Sequence, residues 1–265
     1  MNALARITGV LLLVLAGAAA GSESGAQLEP APAHRLDVES MQRGAGHFVN
    51  YCLSCHSAQY MRYNRLTSLG LSEQQIKDNL MFATDKIGSP MISPMSKADG
   101  AAWFGVAPPD MSVEARVRGK DWLYSYLLAF YEDDKAPTGW NNLVFHGVAM
   151  PHVLWNLQGT QRLVETEFED LEKAEAAVIA AKGLALAERV SGGKYMVKTL
   201  AVETPGAMSS VEYRRFVADL VNYLDYMSEP ARNERINIGI VVLIYLGVLL
   251  VFAYALKRAY WKDVH

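Results

Sequence analysis

The sequence predicts a mainly α-helical domain with long loops and a short β hairpin, followed by one C-terminal transmembrane helix. Three observations predict this class. Apolar residues recur at spacings of three and four, long stretches are rich in Pro, Ser and Gly, and residues 236–256 carry no charge. The chain has 265 residues, of which 51% are hydrophobic. At ~100–200 residues per domain, this length allows one large domain or two small ones.

The composition excludes several classes of protein. Two cysteines are too few for a disulfide-stapled scaffold, a four-cysteine zinc site or an iron–sulfur cluster with four cysteine ligands. The formal net charge is −3, and the sequence has no basic stripe that could neutralise the phosphates of a nucleic acid. We therefore expect no nucleic-acid partner.

The N-terminus has the pattern of a secretory signal peptide. Arg6 precedes a short apolar run, and a run of small residues ends at Ala20. An uncleaved anchor is the alternative, but the run is shorter than the ~18–20 apolar residues that a span needs. We expect residues 1–20 to be cleaved and residues 21–35 to form a polar leader.

The C-terminus contains the predicted membrane anchor. Residues 236–256 are 21 uncharged positions, which as a helix would extend ~32 Å. Aromatic and positively charged residues follow in a short tail, residues 257–265. A buried core helix is the alternative, but it is a poor explanation for an uncharged run at a chain end. Together with the signal peptide, the anchor predicts that residues 36–235 are exported and that the tail stays in the cytoplasm.

The first half of the exported part predicts helices separated by loops. Residues 37–51 have amphipathic spacing and end at Cys52. A second helix is predicted over 71–82, and residues 88–109 have the composition of a loop. Residues 120–131 predict a strongly aromatic helix.

The second half is predicted to be more varied. Residues 135–159 are mostly irregular, and residues 166–190, rich in Ala, Glu and Leu, predict a solvated helix. Residues 196–203 alternate as a short strand would. A capping box at residues 209–212 opens a helix that runs through Tyr226. Because long loops usually wrap something, we expect the loops to enclose a ligand.

One motif carries chemistry: Cys52-Leu-Ser-Cys55-His56 follows the CxxCH pattern of c-type haem attachment. Two thiols at this spacing can bond the two vinyl groups on one edge of a porphyrin, and the adjacent imidazole can bind the iron. A thioredoxin-like dithiol would follow a strand in a βαβ unit, which the sequence lacks. A zinc site would need a further ligand, which His146 or His152 could supply. Because the motif occurs once, we expect one covalently attached haem c.

The haem iron then needs a sixth ligand or an open site. Met150 is followed by Pro151, which favours extended backbone in a long irregular stretch. Met91 and Met95 each lie within two residues of a proline, so the sequence spacing leaves the choice open. The candidates are the loop methionines and three histidines: Met91, Met95, Met111, Met150, His47, His146 and His152.

Five features occur in the same order as in a known family. They are NYCLSCHS (50–57) with YMRYNR (60–65), APPDMS (107–112) with the arginine pair after it, VAMP (148–151), residues 198–226 with TPGAMS (204–209), and the terminal anchor. On these features the chain resembles cytochrome c1, the haem subunit of the ubiquinol–cytochrome c oxidoreductase (cytochrome bc1) complex. A generic cytochrome c shares only CxxCH and an axial methionine, so the resemblance is specific.

The resemblance implies a cytochrome c-like helical haem domain over residues 36–235. It implies that Cys52 and Cys55 form thioethers to the haem, and that His56 and Met150 are the proximal and distal iron ligands.

The resemblance also implies three further contacts with the haem. Arg118 would hold a propionate, because a guanidinium can bind a carboxylate bidentately. Pro108 and Pro109 would line the haem pocket. One departure is residues 157–193, which are longer than in compact family members. Their acidic side chains could steer a basic cytochrome c or form an ordinary solvated face.

The function that the resemblance implies is one-electron transfer. The haem would accept an electron from a Rieske iron–sulfur protein and pass it to a soluble cytochrome c, in a dimeric complex with cytochrome b. The haem site would lie in the periplasm, on a chain anchored in a bacterial inner membrane. It would have no catalytic acid or base of its own. The alternatives are another tethered monohaem cytochrome and an exported zinc or thiol–disulfide protein.

Overall fold

The computed structural model describes residues 27–34, 36–181 and 183–262, so the predicted signal peptide lies outside the described residues. The helices are α1 (Val38–Tyr51), α2 (Glu73–Leu80), α3 (Lys97–Phe104), α4 (Glu114–Arg118), α5 (Lys120–Leu128), α6 (Trp155–Gln158), α7 (Leu171–Ala180), α8 (Ser210–Ser228) and α9 (Arg232–Tyr260). The strands are β1 (Ala58–Arg62), β2 (Pro90–Met91), β3 (Phe130–Glu132), β4 (Trp140–Asn142), β5 (Gly159–Phe168), β6 (Ala185–Arg189) and β7 (Tyr195–Pro205). Short 3-10 helices cover Tyr63–Leu69 and Ser191–Gly193.

The packing of α1 against α8 forms the centre of the domain. α1 begins at the N-cap Asp37, whose side chain accepts a hydrogen bond from the Ser40 amide. Between the two helices, Ser40 and Arg43 both donate to the buried carboxylate of Asp219, each at 2.6 Å. An unpaired buried charge is costly, so these two donors of α1 stabilise the carboxylate. The contact fixes the register of α1 on α8. The predicted helices over 37–51 and 209–226 are confirmed.

A three-stranded antiparallel sheet, ordered β5-β7-β6, covers one side of the domain. The predicted strand over 196–203 is confirmed as the central strand β7. The predicted helix over 166–190 is wrong at both ends, because α7 alone is helical there and β5 and β6 occupy the flanks. Both flanks pair with β7, so interstrand hydrogen bonds override a local helical propensity.

Two predicted loops contain short elements. The segment 88–109 includes α3, which Ser96 caps by accepting from the Asp99 amide at 3.0 Å. The segment 135–159 includes β4, which pairs with β3. This pairing also ends the predicted helix over 120–131 early, at Leu128.

Residues 27–34, which we call the N-terminal strap, pack along the folded domain. The strap lies within the predicted leader 21–35, yet its backbone is bound to α5: the Glu29 amide donates to Ser125 Oγ and the Ala31 amide to Asp121 Oδ1, both at 2.8 Å. Arg214 on α8 forms an ion pair with Glu29. The packed region therefore begins upstream of residue 36.

The last described helix, α9, is the only one in the described residues that is long and apolar enough to cross a membrane. Its apolar stretch, Glu234–Tyr260, has 27 residues and is not buried against the rest of the chain. At 1.5 Å per residue it extends about 40 Å, so it can span a bilayer with residues to spare. Its apolar centre agrees with the predicted span 236–256, and residues 229–231 form the break before it.

Candidate functional site

One apolar cleft lies where the end of α1, the segment after α3 and the segment around Met150 come together. Its cavity volume is about 110 Å³, and the cleft is partly open to solvent. The lining residues are Tyr51, Cys52, Cys55, His56, Phe104, Val106, Ala107, Pro108, Pro109, Ala149, Met150, Pro151 and Val153.

The CxxCH motif forms one wall of the cleft because α1 ends in a tight turn. The Cys52 amide still bonds to Phe48 O at 2.9 Å, and the amides of Cys55 and His56 turn back to Cys52 O at 3.1 and 2.8 Å. This turn brings both sulfurs and the imidazole to the same cleft. The two cysteines form no disulfide with each other.

The electrostatics of Cys52 do not suit thiol–disulfide chemistry. Burial raises the pKa of its thiol to about 12, with a smaller contribution from the neighbouring Cys55. The thiolate is the nucleophile in disulfide exchange, and a reactive cysteine has a lowered pKa. The direction of this shift therefore gives no support to thiol–disulfide chemistry at Cys52.

The ring of His56 is oriented by the backbone of Pro109. His56 Nδ1 lies 2.8 Å from Pro109 O, so this nitrogen carries the proton and donates. Nε2 then holds the lone pair that can bind a metal, as in most metal-binding histidines. Burial, the largest effect, lowers the pKa of His56, which favours the neutral, ligating form.

Met150 is the sixth-ligand candidate that lines the cleft. Its sulfur accepts a hydrogen bond from the hydroxyl of Tyr126, with the oxygen 3.4 Å from Sδ. Pro151 and Ala149 line the cleft beside it.

The other candidates lie elsewhere in the described part of the chain. Met91 is buried, and its sulfur is 3.4 Å from the hydroxyl of Tyr223. His47 stacks on Phe216 with ring centroids 3.9 Å apart, and His152 stacks on Phe130 at 4.8 Å.

The remaining candidates are also outside the cleft wall. His146 lines a separate polar groove beside β3 and β5, and Met111 packs against the core. Met95 lies by α3, near Gly100.

The predicted pocket residues divide into two groups. Pro108 and Pro109 line the cleft, and Pro109 also holds His56. Arg118 does not line it. The Arg118 guanidinium bonds to Glu114 Oε1 at 3.3 Å and lies 4.9 Å from the ring of Trp122.

Sequence reasoning missed several lining residues. Tyr51 and Ala107 lie within recognised motifs, although the motifs alone assign them no role. Phe104 and Val106 carry no such signal, because α3 was predicted as loop. Tyr126 was assigned to an aromatic helix without a partner.

The zinc alternative lacks a ligand set. Within the described residues, no group of three or more His, Cys, Asp or Glu side chains could hold a metal ion. In particular, His146 and His152, the two candidate extra ligands, do not line the cleft with Cys52 and Cys55.

The cleft fits a c-type haem. Its walls are almost entirely apolar, and the thiols and the imidazole with a free Nε2 share one wall. A thioether completes a donor set of one nitrogen and one sulfur, which is the set of haem electron carriers.

Comparison with known proteins agrees with this geometry. A model of the Cytochrome C1 family matches residues 29–182 and 195–264. The interruption at 183–194 coincides with β6 and the turn after it, so the edge strand of the sheet lies in the departure that the sequence shows from the family pattern.

Three curated relatives cover nearly the whole chain. The chain is 41% identical over 98% of both sequences to a cytochrome c1 from Allochromatium vinosum. It is 27% identical to a cytochrome c1 from Rhodospirillum rubrum, over 96% of this chain and 94% of that one. It is also 43% identical, over 97% of both, to a Nitrosomonas europaea protein named ammonia monooxygenase gamma subunit. On the family match and these relatives, the chain belongs to the cytochrome c1 family.

Proposed function

We propose that this chain is the membrane-anchored monohaem cytochrome of a respiratory bc1 complex. It accepts one electron from the Rieske iron–sulfur protein and passes it to a soluble cytochrome c. The observation that carries the proposal is the cleft, which collects Cys52, Cys55, His56 and Met150 from two distant parts of the chain.

Each cleft residue has a distinct task in this proposal. Cys52 and Cys55 hold one haem c through thioether bonds, which fixes the cofactor against the end of α1. His56 is the proximal ligand, and its bond to Pro109 O keeps Nε2 directed for coordination. Met150 is the distal ligand. The haem, when bound, supplies one-electron chemistry between ferric and ferrous iron.

The surroundings suit electron transfer rather than oxygen chemistry. A thioether ligand favours the ferrous state and raises the potential, and a filled sixth position keeps oxygen from the iron. The walls, including Pro108, are almost entirely apolar. No acid or base is required for the transfer. Arg118 as a propionate partner stays a prediction, because its guanidinium lies beside Glu114 and Trp122.

α9 supports a single-pass membrane arrangement. We infer that residues 1–20 are a cleaved signal peptide and that residues 21–235 lie in the periplasm, with the strap packed on the domain. Residues 236–256 cross the inner membrane once, and the basic tail 257–265 is cytoplasmic. Cytochrome b and the Rieske protein are the partners in a dimeric complex.

Covalent haem is the first point to test. A pyridine haemochrome spectrum of the denatured protein should show one haem per chain, and Cys52→Ser with Cys55→Ser should leave none bound. A spectrum without covalent haem would exclude the assignment.

Ligation and assembly are tested separately. Met150→Leu should abolish the weak sulfur-to-iron charge-transfer band of the ferric protein, whereas Met91→Leu should keep it. The native protein should co-purify with cytochrome b and a Rieske protein. If it never does, a different tethered cytochrome is the better description.

The relative named ammonia monooxygenase gamma subunit suggests a second function, as a subunit that activates oxygen. Such a role needs an open position on the iron. Because Met150 shares the cleft with His56, we favour electron transfer. Carbon monoxide binding distinguishes the two, since it should be weak in the ferrous wild-type protein and strong in Met150→Leu.

A further inference from the structure

A tyrosine outside the cleft wall reaches the sulfur of Met150. The hydroxyl of Tyr126, on α5, donates to Met150 Sδ at 3.4 Å. A thioether sulfur has two lone pairs, so one can accept this proton while the other bonds to iron. The two residues are 24 positions apart, and the packing of α5 against the segment after β4 brings them together.

The ring of Tyr126 is held by its neighbours. It stacks on Trp122 with centroids 4.9 Å apart and planes at 9°, and it meets the ring of Phe130 edge-on at 5.1 Å. The side-chain amide of Asn142 donates to Tyr126 O at 2.8 Å, which ties the backbone of α5 at this point to β4. These contacts hold the ring and the backbone of Tyr126 in place.

The geometry makes Tyr126 the donor to Met150 Sδ. Burial raises the pKa of its phenol, and the nearby Arg118 opposes this only in part.

We propose that Tyr126 is a positioning residue that raises the redox potential of the haem through its hydrogen bond to Met150 Sδ. The bond draws electron density from the sulfur, so the thioether donates less strongly to ferric iron, and the ferrous state gains relative stability. The inference rests on the proposed function, because it takes Met150 as the distal ligand.

The chain contains a matched control. Tyr223 makes the same contact with a methionine that lies outside the cleft, with its hydroxyl 3.4 Å from Met91 Sδ. Tyr126→Phe and Tyr223→Phe each remove one buried hydroxyl and one O–H···S bond. Any general effect of losing such a bond is common to both variants, so a difference in potential isolates the role of Met150.

The test is a potentiometric titration of the intact, haem-loaded protein. Tyr126→Phe should lower the ferrous-to-ferric equilibrium constant roughly two- to fivefold, a fraction of the free energy of one neutral hydrogen bond. For a one-electron couple this is a drop of about 20 to 40 mV. Tyr223→Phe should leave the potential where it is.

Each other outcome has a defined meaning. An unchanged potential in Tyr126→Phe with the charge-transfer band retained overturns the inference but leaves the proposed function standing. A drop in Tyr223→Phe instead would make Met91 the ligand and overturn both. Retention of the band in Met150→Leu likewise removes the ligand on which the inference rests.

A second measurement does not depend on the folding of Tyr126→Phe. Ring-fluorinated tyrosine, incorporated throughout the Tyr223→Phe protein, makes the remaining phenols stronger donors with little change of shape. The potential should rise relative to the same protein with ordinary tyrosine. No rise would contradict the role of Tyr126.

Discussion

At Gly44 the helices α1 and α8 approach each other closely. A Cβ built on Gly44 would lie 2.0 Å from Asp219 O and 2.7 Å from Tyr223 Cβ. The first of these atoms belongs to the backbone of α8, so neither helix can yield by a rotamer change. Because α1 ends at Cys52, this contact also sets where the haem-binding motif stands relative to the domain.

Gly44→Ala should therefore destabilise the domain by about 1–3 kcal/mol, the usual cost of overpacking. Gly46, on the same helix, has nothing within 4 Å of the equivalent Cβ. Gly46→Ala should stabilise by about 0.5–1 kcal/mol, because alanine is the better helix former. Thermal unfolding of the two haem-loaded variants checks the pair, and equal melting temperatures would contradict the close approach.

Single residues differ in how far the sequence could identify them. The spacing of Cys52, Cys55 and His56 is dictated by the cofactor, so it is visible in the sequence alone. Met150 was equivalent to Met91 on local grounds, since both adjoin prolines. The two methionines separate only in three dimensions: Met150 lines the cleft, and Met91 is buried beside Tyr223.

At the scale of elements, α8 is the longest helix of the haem domain, with 19 residues. Its start is fixed by the predicted capping box. The Glu212 carboxylate accepts a hydrogen bond from the Ser209 amide at 2.9 Å, and Ser209 Oγ accepts one from the Glu212 amide at 3.4 Å. Since α8 supports α1, this cap contributes indirectly to the haem site.

Ser209→Ala should cost about 1 kcal/mol, because it removes the side-chain acceptor of the cap. Ser210→Ala, one position later, should change stability by less than about 0.5 kcal/mol, as an ordinary surface substitution does. Chemical denaturation of both variants gives the comparison. If the two mutations cost the same, the capping box contributes nothing particular.

The acidic segment around α7 shows why elements are harder to predict than motifs. Its composition predicts one long helix, but β5 and β6 pair with β7. The local sequence of β5 carries no information about a pairing strand some 30 positions away. Several of the acidic side chains form ion pairs with lysines of the same sheet region. Lys194 bonds to Glu167 and Glu169 at 2.5 and 3.4 Å, and Lys198 lies 2.6 Å from Glu188.

These ion pairs help to decide whether the acidic side chains steer a basic cytochrome c or form an ordinary solvated face. The acids on the sheet already face lysines of the same domain, so the field that they present to a partner is reduced. The arrangement therefore favours the solvated, internally paired face over steering of a basic cytochrome c.

At the scale of the whole molecule, the haem domain and α9 are built independently. The apolar stretch of α9 buries nothing against the domain, whereas the strap, α1, α5 and α8 are joined by hydrogen bonds and a common core. The contacts at the boundary include ion pairs of Glu229 with Arg235 at 2.7 Å and with Arg116 at 3.9 Å.

Deleting residues 231–265 should release a water-soluble domain that keeps its haem. Exposed ion pairs contribute about 0–1 kcal/mol each, so the melting temperature should change by less than about 4 °C. Fractionation, haem content and thermal unfolding of the truncated protein test this. A truncated protein that aggregates or loses its haem would show that the domain depends on its anchor.

The short connection between α8 and α9 limits where electrons can be exchanged. Three residues, 229–231, separate the two helices, and a fully extended chain of that length reaches only about 10 Å. Because Glu229 is also bonded to the first turn of α9, the cleft can move only a short distance relative to that helix. In the proposed function, the chain would thus be a stationary relay at the membrane surface, and any long-distance travel between donor and acceptor would fall to its partners.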